Sequence, residues 1–254
     1  MALFPDGPIA GIDDLAAQDS QVLDIASEEN INLTQKIAAA QEQIGLEILS
    51  WFERTQFVTG LVWSTQECPL SKVVVTRAVK LWTTFLSLEL VYAEAFGNQL
   101  NGRYAAKRDQ FHESAGWAAE KVVQAGIGIA TNPVPRAAIP VITATQGSLA
   151  DGTYYITMAW LNSREEEGAS APATIVTTAD STFLVQPGAP PSTAVGWNVY
   201  VGTAPATMFL QNSSPIVNGQ AWLQPANLIT SGKGPGTGQQ PTMFRPVPRV
   251  LQRG

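Results

Sequence analysis

A chain of 254 residues is about one and a half to two times the usual domain length, so two domains, or one large domain with extensions, is the starting expectation. Charged residues make up 14% of it against roughly 25% in an ordinary soluble domain, and hydrophobic residues 45%, so the surface is mostly uncharged polar or is covered by other chains. The net charge of -6 argues against a free nucleic-acid binder, and a lone Cys68 with a lone His112 excludes an intrachain disulfide and a Cys/His zinc site within one chain.

The first residues, Met-Ala-Leu-Phe-Pro-Asp-Gly-Pro, hold no basic start, no apolar run and no small-residue cleavage site, so no cleaved secretion signal is expected. Asp13 and Asp14 suit the start of a short helix running to Ser20 or beyond, and Asn32 followed by Gln35 is a capping-box pattern that opens the next. There Leu33, Ile37, Ala40, Ile44 and Ile48 recur at three- and four-residue spacing and predict one buried face, ending at Trp51 and Phe52.

The following helix carries two apolar stripes, Val75, Val79, Trp82, Leu86 and Leu90 on one side and Ala78, Leu81, Phe85, Leu88 and Tyr92 on another. A helix apolar on most of its circumference is either the centre of its own bundle or shared with a neighbouring subunit. Its uncharged runs reach eight residues, from Leu81 to Leu88, where a membrane-spanning helix needs about twenty, so a soluble chain with no membrane partner is expected. Gly97-Asn98 predicts a break, because both residues tolerate the left-handed conformation of a helix end. A last helix keeps its period through Leu100, Tyr104, Phe111, Ala115, Ala118, Val122 and Ala125 up to Gly126, with Arg103, Lys107, Arg108 and Lys121 on a solvated or partner-facing side.

Composition changes at residues 131–136. Residues 1–130 hold 16 acids, 9 bases and prolines only at Pro5, Pro8 and Pro69; the rest holds 5 acids, 6 bases and 14 prolines, which excludes long helices. The link at 131–140 is expected to be exposed, since its prolines interrupt the secondary structure on either side. Beyond it the period falls to two, and residues 141–145, 152–161, 173–177, 182–185, 196–201, 208–210 and 221–223 read as strands of a β-sandwich of immunoglobulin or fibronectin type. Residues 231–254, with a Gly-rich hinge at 232–238 and no acid, read as an extended C-terminal arm. The chain thus divides into a helical bundle at 1–134, a sandwich at 135–230 and the arm at 231–254.

Motifs for chemistry are weak. His112-Glu113 lacks a second His four residues after the first, and His112 reads as an ordinary helix-surface residue. The 232–238 run has no Gly-Lys-Ser/Thr end and no following helix, so it fails as a phosphate loop. Glu165, Glu166, Glu167 and Gly168 suggest calcium but fit a solvated turn better, and Cys68 has no basic neighbour to activate it. Trp197 and Tyr200 could stack on a sugar, although alternation along their strand favours the core. No catalytic residue, metal or cofactor is expected.

The order of features resembles the head–tail connector, or adaptor, proteins of tailed bacteriophages over roughly residues 10–136. The resemblance is carried by Ile12-Asp-Asp-Leu-Ala-Ala-Gln-Asp, Val22-Leu-Asp-Ile-Ala-Ser27, the helix from Leu33 to Glu47, Val75-Thr-Arg-Ala-Val-Lys-Leu-Trp-Thr-Thr-Phe, Leu90-Val-Tyr-Ala-Glu-Ala-Phe and Asn98-Gln-Leu-Asn-Gly-Arg-Tyr-Ala-Ala-Lys107. It implies a non-enzymatic virion protein at the head–tail junction, assembled in the host cytoplasm as a dodecameric ring under the portal protein. Such a ring joins a downstream neck or tail protein and passes DNA through its channel without reading sequence.

The second half looks like the immunoglobulin-like modules appended to phage structural proteins, with its hairpins in an unusual order. Residues 1–67 carry 11 acids and 2 bases, suited to a channel wall that repels DNA. Trp82, Phe85, Leu86 and Tyr92 are the expected subunit contacts. Phe244, Arg245, Arg249, Val250 and Arg253 are the expected grip of the arm on the portal or on an adjacent copy, thirteen residues of it spanning about 40 Å at about 3.1 Å each. The alternative is a carbohydrate- or receptor-binding virion protein whose sandwich is the functional part.

Overall fold

A computed structural model of the chain describes residues 1–53 and 70–247 in full and residues 54–59 as helical backbone. A helical N-terminal part is followed by a β-rich part whose strand pairings are all antiparallel. Among the described residues the α-helices are α1 (Ile12–Gln18), α2 (Val22–Glu28), α3 (Leu33–Thr59), α4 (Arg77–Gln99) and α5 (Gly102–Ala125). The strands are β1 (Ile127–Ile129), β2 (Val141–Gln146), β3 (Gly152–Leu161), β4 (Thr174–Thr178), β5 (Ser181–Gln186), β6 (Gly196–Gly202), β7 (Phe209–Leu210), β8 (Ile216–Val217), β9 (Trp222–Leu223) and β10 (Met243–Arg245).

The helices start where local hydrogen bonding allows. Asp14 Oδ2 accepts the Gly11 amide at 2.8 Å at the head of α1, Asn32 Oδ1 accepts the Gln35 amide at 3.1 Å at the head of α3, and Asn101 Oδ1 accepts the Arg103 amide at 3.0 Å at the head of α5. Leu33, Ile37, Ala40, Ile44 and Ile48 are all buried, as their spacing predicts. Trp51 at the end of that stripe stacks on Trp82 with ring centroids 5.5 Å apart.

Helix α4 departs from the predicted stripes. Its buried positions include Thr83, Thr84 and Ser87, whose hydroxyls donate to the carbonyls of Val79, Lys80 and Thr83 one turn back, at 3.0, 2.9 and 2.7 Å. A hydroxyl satisfied by its own helix is buried at small cost. Leu81, Phe85, Leu86 and Leu90 are in turn only half-buried, and no residue between Leu81 and Tyr92 is exposed, so this middle stretch of the helix is largely covered by its own chain. The predicted break at Gly97-Asn98 falls later. Helix α4 runs to Gln99, and Leu100 turns the chain in the left-handed region at φ 52°, because Asn101 caps α5 directly behind it.

The chain forms two compact units, and neither is continuous in sequence. One comprises Gly7–Ile129 and the chain from Pro241 on; the other comprises Met1–Asp6 and Ala130–Gln240. Division at 134 and 230, with a free arm from 231, is therefore corrected: the β unit is an insertion between β1 and β10, and these two strands pair, Ile127 opposite Arg245 and Ile129 opposite Met243. Nor is the link at 131–140 exposed throughout. Val134 and Ala137 are 1% and 2% exposed, and their amides donate to Gln239 Oε1 at 2.6 Å and to the Ala169 carbonyl at 3.0 Å.

In the β unit the sheet orders are β2-β5-β9 and β4-β3-β6-β7, with β8 also on β6. Phe183 and Val185 from the first and Tyr154, Ile156, Met158, Trp197 and Val199 from the second share one apolar core. The predicted strands all form, with ends shifted by a residue; β1, β8 and β10, two or three residues long, escape a periodicity argument.

Gly126, at φ 82°, makes the seat for the returning strand, since a Cβ there would lie 2.7 Å from the Arg245 carbonyl oxygen. Gly126→Ala is expected to destabilise the helical unit by about 1–3 kcal/mol through backbone strain and displacement of β10. Urea denaturation gives the loss, and faster amide exchange at residues 243–245 than elsewhere in the unit locates it.

Candidate functional site

Two buried carboxylates organise the polar chemistry, one in each unit. In the helical unit Asp19 lies between α1 and α2 with its side chain 4% exposed. Its Oδ2 accepts the Tyr92 hydroxyl of α4 at 2.6 Å and the Lys107 ammonium of α5 at 3.1 Å, and its Oδ1 accepts the Gln21 amide at 3.1 Å. Burial alone raises its pKa, but the bonds from Tyr92, Gln21 and Lys107 and the Lys107 charge outweigh it and leave the carboxyl below its usual range. The Tyr92 hydroxyl is pushed far above its ordinary value by burial and by the carboxylate it serves. Tyr92 also stacks on Phe111, at 5.6 Å between centroids.

In the β unit the turn of three glutamates is fastened to distant segments. Asn162 Oδ1 accepts the Arg164 and Glu166 amides at 2.9 and 3.0 Å and shapes the turn, with Glu165 at φ 60°. Glu166 Oε2 accepts the side-chain amides of Asn162 at 2.7 Å and Gln239 at 3.0 Å. Glu167, its side chain 8% exposed, accepts Lys233 Nζ at 2.9 Å, Asn198 Nδ2 at 3.1 Å and the Tyr200 hydroxyl. Burial, reinforced by that bond, drives the Tyr200 hydroxyl far above its ordinary pKa, so it stays a donor.

The residues singled out from the sequence fall as follows. Tyr92 is fully buried and Trp82 is 8% exposed, so both are committed inside the subunit; Phe85, stacked on Phe111 at 6.5 Å, and Leu86 are half-buried. Trp197 and Tyr200 are fully buried and offer no sugar platform. His112 is a surface residue whose Nδ1 lies 2.9 Å from Glu89 Oε1.

Arg245 is 7% exposed with its guanidinium 4.9 Å from the centre of the Phe52 ring, which corrects its reading as part of a free arm, while Phe244 beside it is 52% exposed. Arg249, Val250, Arg253 and Cys68 lie outside the described residues. The glycine-rich run is not a free hinge either: Ser170 donates to the Gly236 carbonyl through its amide and its hydroxyl at 3.3 and 3.0 Å, and Ala169 bridges to Thr237. Sequence reasoning missed Asp19, Asn198, Asn212 and Gln239 as organising residues.

Among the described residues no three His, Cys, Asp or Glu side chains converge as a metal site, and no helix is long and apolar enough to cross a membrane. No protein-family model, curated protein or solved structure matches the chain.

The lowered Asp19 pKa fixes the sign of its pH effect. Its stabilisation is fully present above the unfolded value near 4 and is lost as pH falls through the lower folded value. Asp19→Ala is expected to cost about 1–3 kcal/mol at pH 7, since it leaves the buried Tyr92 hydroxyl without its acceptor, while the part-exposed Lys107 ammonium turns to water. Denaturation curves from pH 7 to pH 2 should show the wild type converging toward the variant in acid.

Proposed function

We propose that the chain is a non-enzymatic structural subunit of a tailed-phage virion, a head–tail connector that assembles as a dodecameric ring under the portal protein. The ring extends the DNA channel and joins a downstream neck or tail protein, and the β unit is an immunoglobulin-like sandwich built into it. The observation that carries this reading is the scarcity of charge on a surface rich in exposed apolar side chains. Residues 130–240 are charged only at Arg136, Asp151, Arg164, Glu165, Glu166, Glu167, Asp180 and Lys233, while Ile139, Val141, Ile175, Val195, Val217 and Leu223 are each more than half exposed. Isolated proteins intersperse charge over such a surface, whereas surfaces destined for burial between chains lose it.

The helical unit adds a second argument. Asp13, Asp24, Glu28, Glu42 and Glu53 are all exposed on α1, α2 and α3, a surface that repels a passing polyanion. On α5, Trp117 is 54% exposed beside Gly116, a large apolar side chain placed for a neighbour.

Imaging and mass measurement of isolated particles are expected to show a ring of about twelve copies, the closed cyclic assembly that head-to-tail contacts produce. Trp117→Ser is expected to leave the circular dichroism spectrum unchanged and to weaken ring formation by about 2 kcal/mol, roughly thirtyfold. A protein that stays monomeric at every concentration and within finished virions would remove the ring.

A further inference from the structure

The carboxylate of Glu167 holds an amine and a primary amide on its two oxygens. Oε2 accepts Lys233 Nζ at 2.9 Å and Oε1 accepts Asn198 Nδ2 at 3.1 Å. The amide is oriented at both ends: its nitrogen faces the carboxylate, and its Oδ1 accepts Asn212 Nδ2 at 2.8 Å. Asn212 is itself fixed, its Nδ2 donating to the Ser214 carbonyl at 2.9 Å and its Oδ1 accepting the Val199 amide at 2.9 Å. Asn198 and Asn212 are 5% and 8% exposed, on the side of the sheet where Tyr200, Ala159 and Met208 form a small apolar cluster. Acyl transfer needs a nucleophile beside a proton acceptor, a carbonyl carbon, a donor where charge develops on the carbonyl oxygen, and a proton for the leaving nitrogen. Lys233, Glu167, Asn198 and Asn212 supply these in one place.

We propose that Lys233 and Asn198 join through an isopeptide bond that forms without an enzyme, Glu167 moving the protons and Asn212 holding the oxyanion. The proposal goes beyond the assembly reading and does not depend on it. Glu167 takes a proton from the Lys233 ammonium and leaves a neutral amine, the nucleophilic form.

Nζ then adds to Cγ of Asn198, and the carbonyl electrons move onto Oδ1, where the Asn212 amide donates. The tetrahedral centre collapses as Glu167 gives its proton to Nδ2 and takes the surplus proton from Nζ, which it passes to the departing ammonia, so the Nζ–Cγ bond forms and the Cγ–Nδ2 bond breaks. In net terms an ammonium and a primary amide become a secondary amide and an ammonium ion, with no oxidant or other reactant. Two features suit the site to it. The Lys233 side chain is 55% exposed, giving the released ammonia a route to water. Gly236 leaves room for the carboxylate, since a Cβ there would lie 2.9 Å from Glu167 Oε2.

The product would be a covalent loop from 198 to 233, fastening the strap of residues 229–239 to β6. The test is the intact mass of the full-length chain, fresh and after incubation at neutral pH, followed by peptide mapping. The expected wild-type mass is lighter by one ammonia, about 17 Da, with a branched peptide joining the segments of Asn198 and Lys233 and no tryptic cleavage after Lys233. Lys233→Arg keeps a cation on Glu167 and should show the full mass, as should Glu167→Gln. A wild-type chain that retains its full mass after incubation overturns the proposal. So does a mass loss that persists in Lys233→Arg, which would place the reaction elsewhere.

Discussion

A chain that leaves its helical unit at Ile129 and re-enters it at Pro241 must hold both passing segments in each unit, and Gln239 and Arg245 meet that requirement. Gln239 is 2% exposed and fully satisfied: its Oε1 accepts the Val134 amide, and its Nε2 donates to the Asn132 carbonyl at 3.0 Å and to Glu166. It binds the entering segment to the leaving one through backbone groups that would otherwise be buried unpaired. In the other unit β10 closes on β1, and Arg245 lays its planar cation over Phe52, an interaction worth about 2 kcal/mol when desolvated. Substitution at either residue therefore acts on segments far apart in sequence within its own unit and not only on one loop.

Most of the helical unit was legible because its signals are local. Asn32 and Gln35, or the spacing of Leu33, Ile37, Ala40, Ile44 and Ile48, involve residues within a turn or two of each other, and the structure keeps them. The face of α4 was misjudged for a related reason. Hydropathy counts Thr83, Thr84 and Ser87 as polar, yet each is neutralised by the carbonyl of its own helix, so the face they occupy is free to pack inward. Leu86 and Leu90, apolar by any scale, lost that place to them. Helix α4 ended later than Gly97 because capping by Asn101 mattered more than the flexibility of a glycine.

The buried nodes were much less legible. Asp19 was part of an acidic, helix-starting segment, and nothing near it in sequence announces Tyr92 or Lys107, 73 and 88 residues away. Glu167 was one of three successive acids and suggested a solvated turn. Its partners come from β6 and from a glycine-rich stretch that reads as a hinge by composition. Glycine there serves close approach as well as freedom: Gly236 has no side chain because the Glu167 carboxylate occupies the space. Arg245 was assigned to a free arm because prolines and basic residues surround it; three residues of β10 are too short a run to show alternation.

Scarcity of charge sharpens what the remaining charges mean. Lys233 is the only lysine after Lys121, in a half of the chain where residues 181–232 carry no charge at all. A lysine kept for solubility alone needs no partner that fixes its place. This one is held instead against a carboxylate that is 8% exposed, with Leu210 donating its amide to the Lys233 carbonyl at 2.9 Å to fix the backbone. The same carboxylate gathers Asn198 and Tyr200 from one strand, so the charged pair marks where the strap meets the sheet. An ion pair with one partner exposed to solvent adds little net stability, because water screens the attraction. Its return lies in position: one carboxylate, satisfied only when three particular side chains converge, selects a single path for a glycine-rich segment that has few other reasons to choose one.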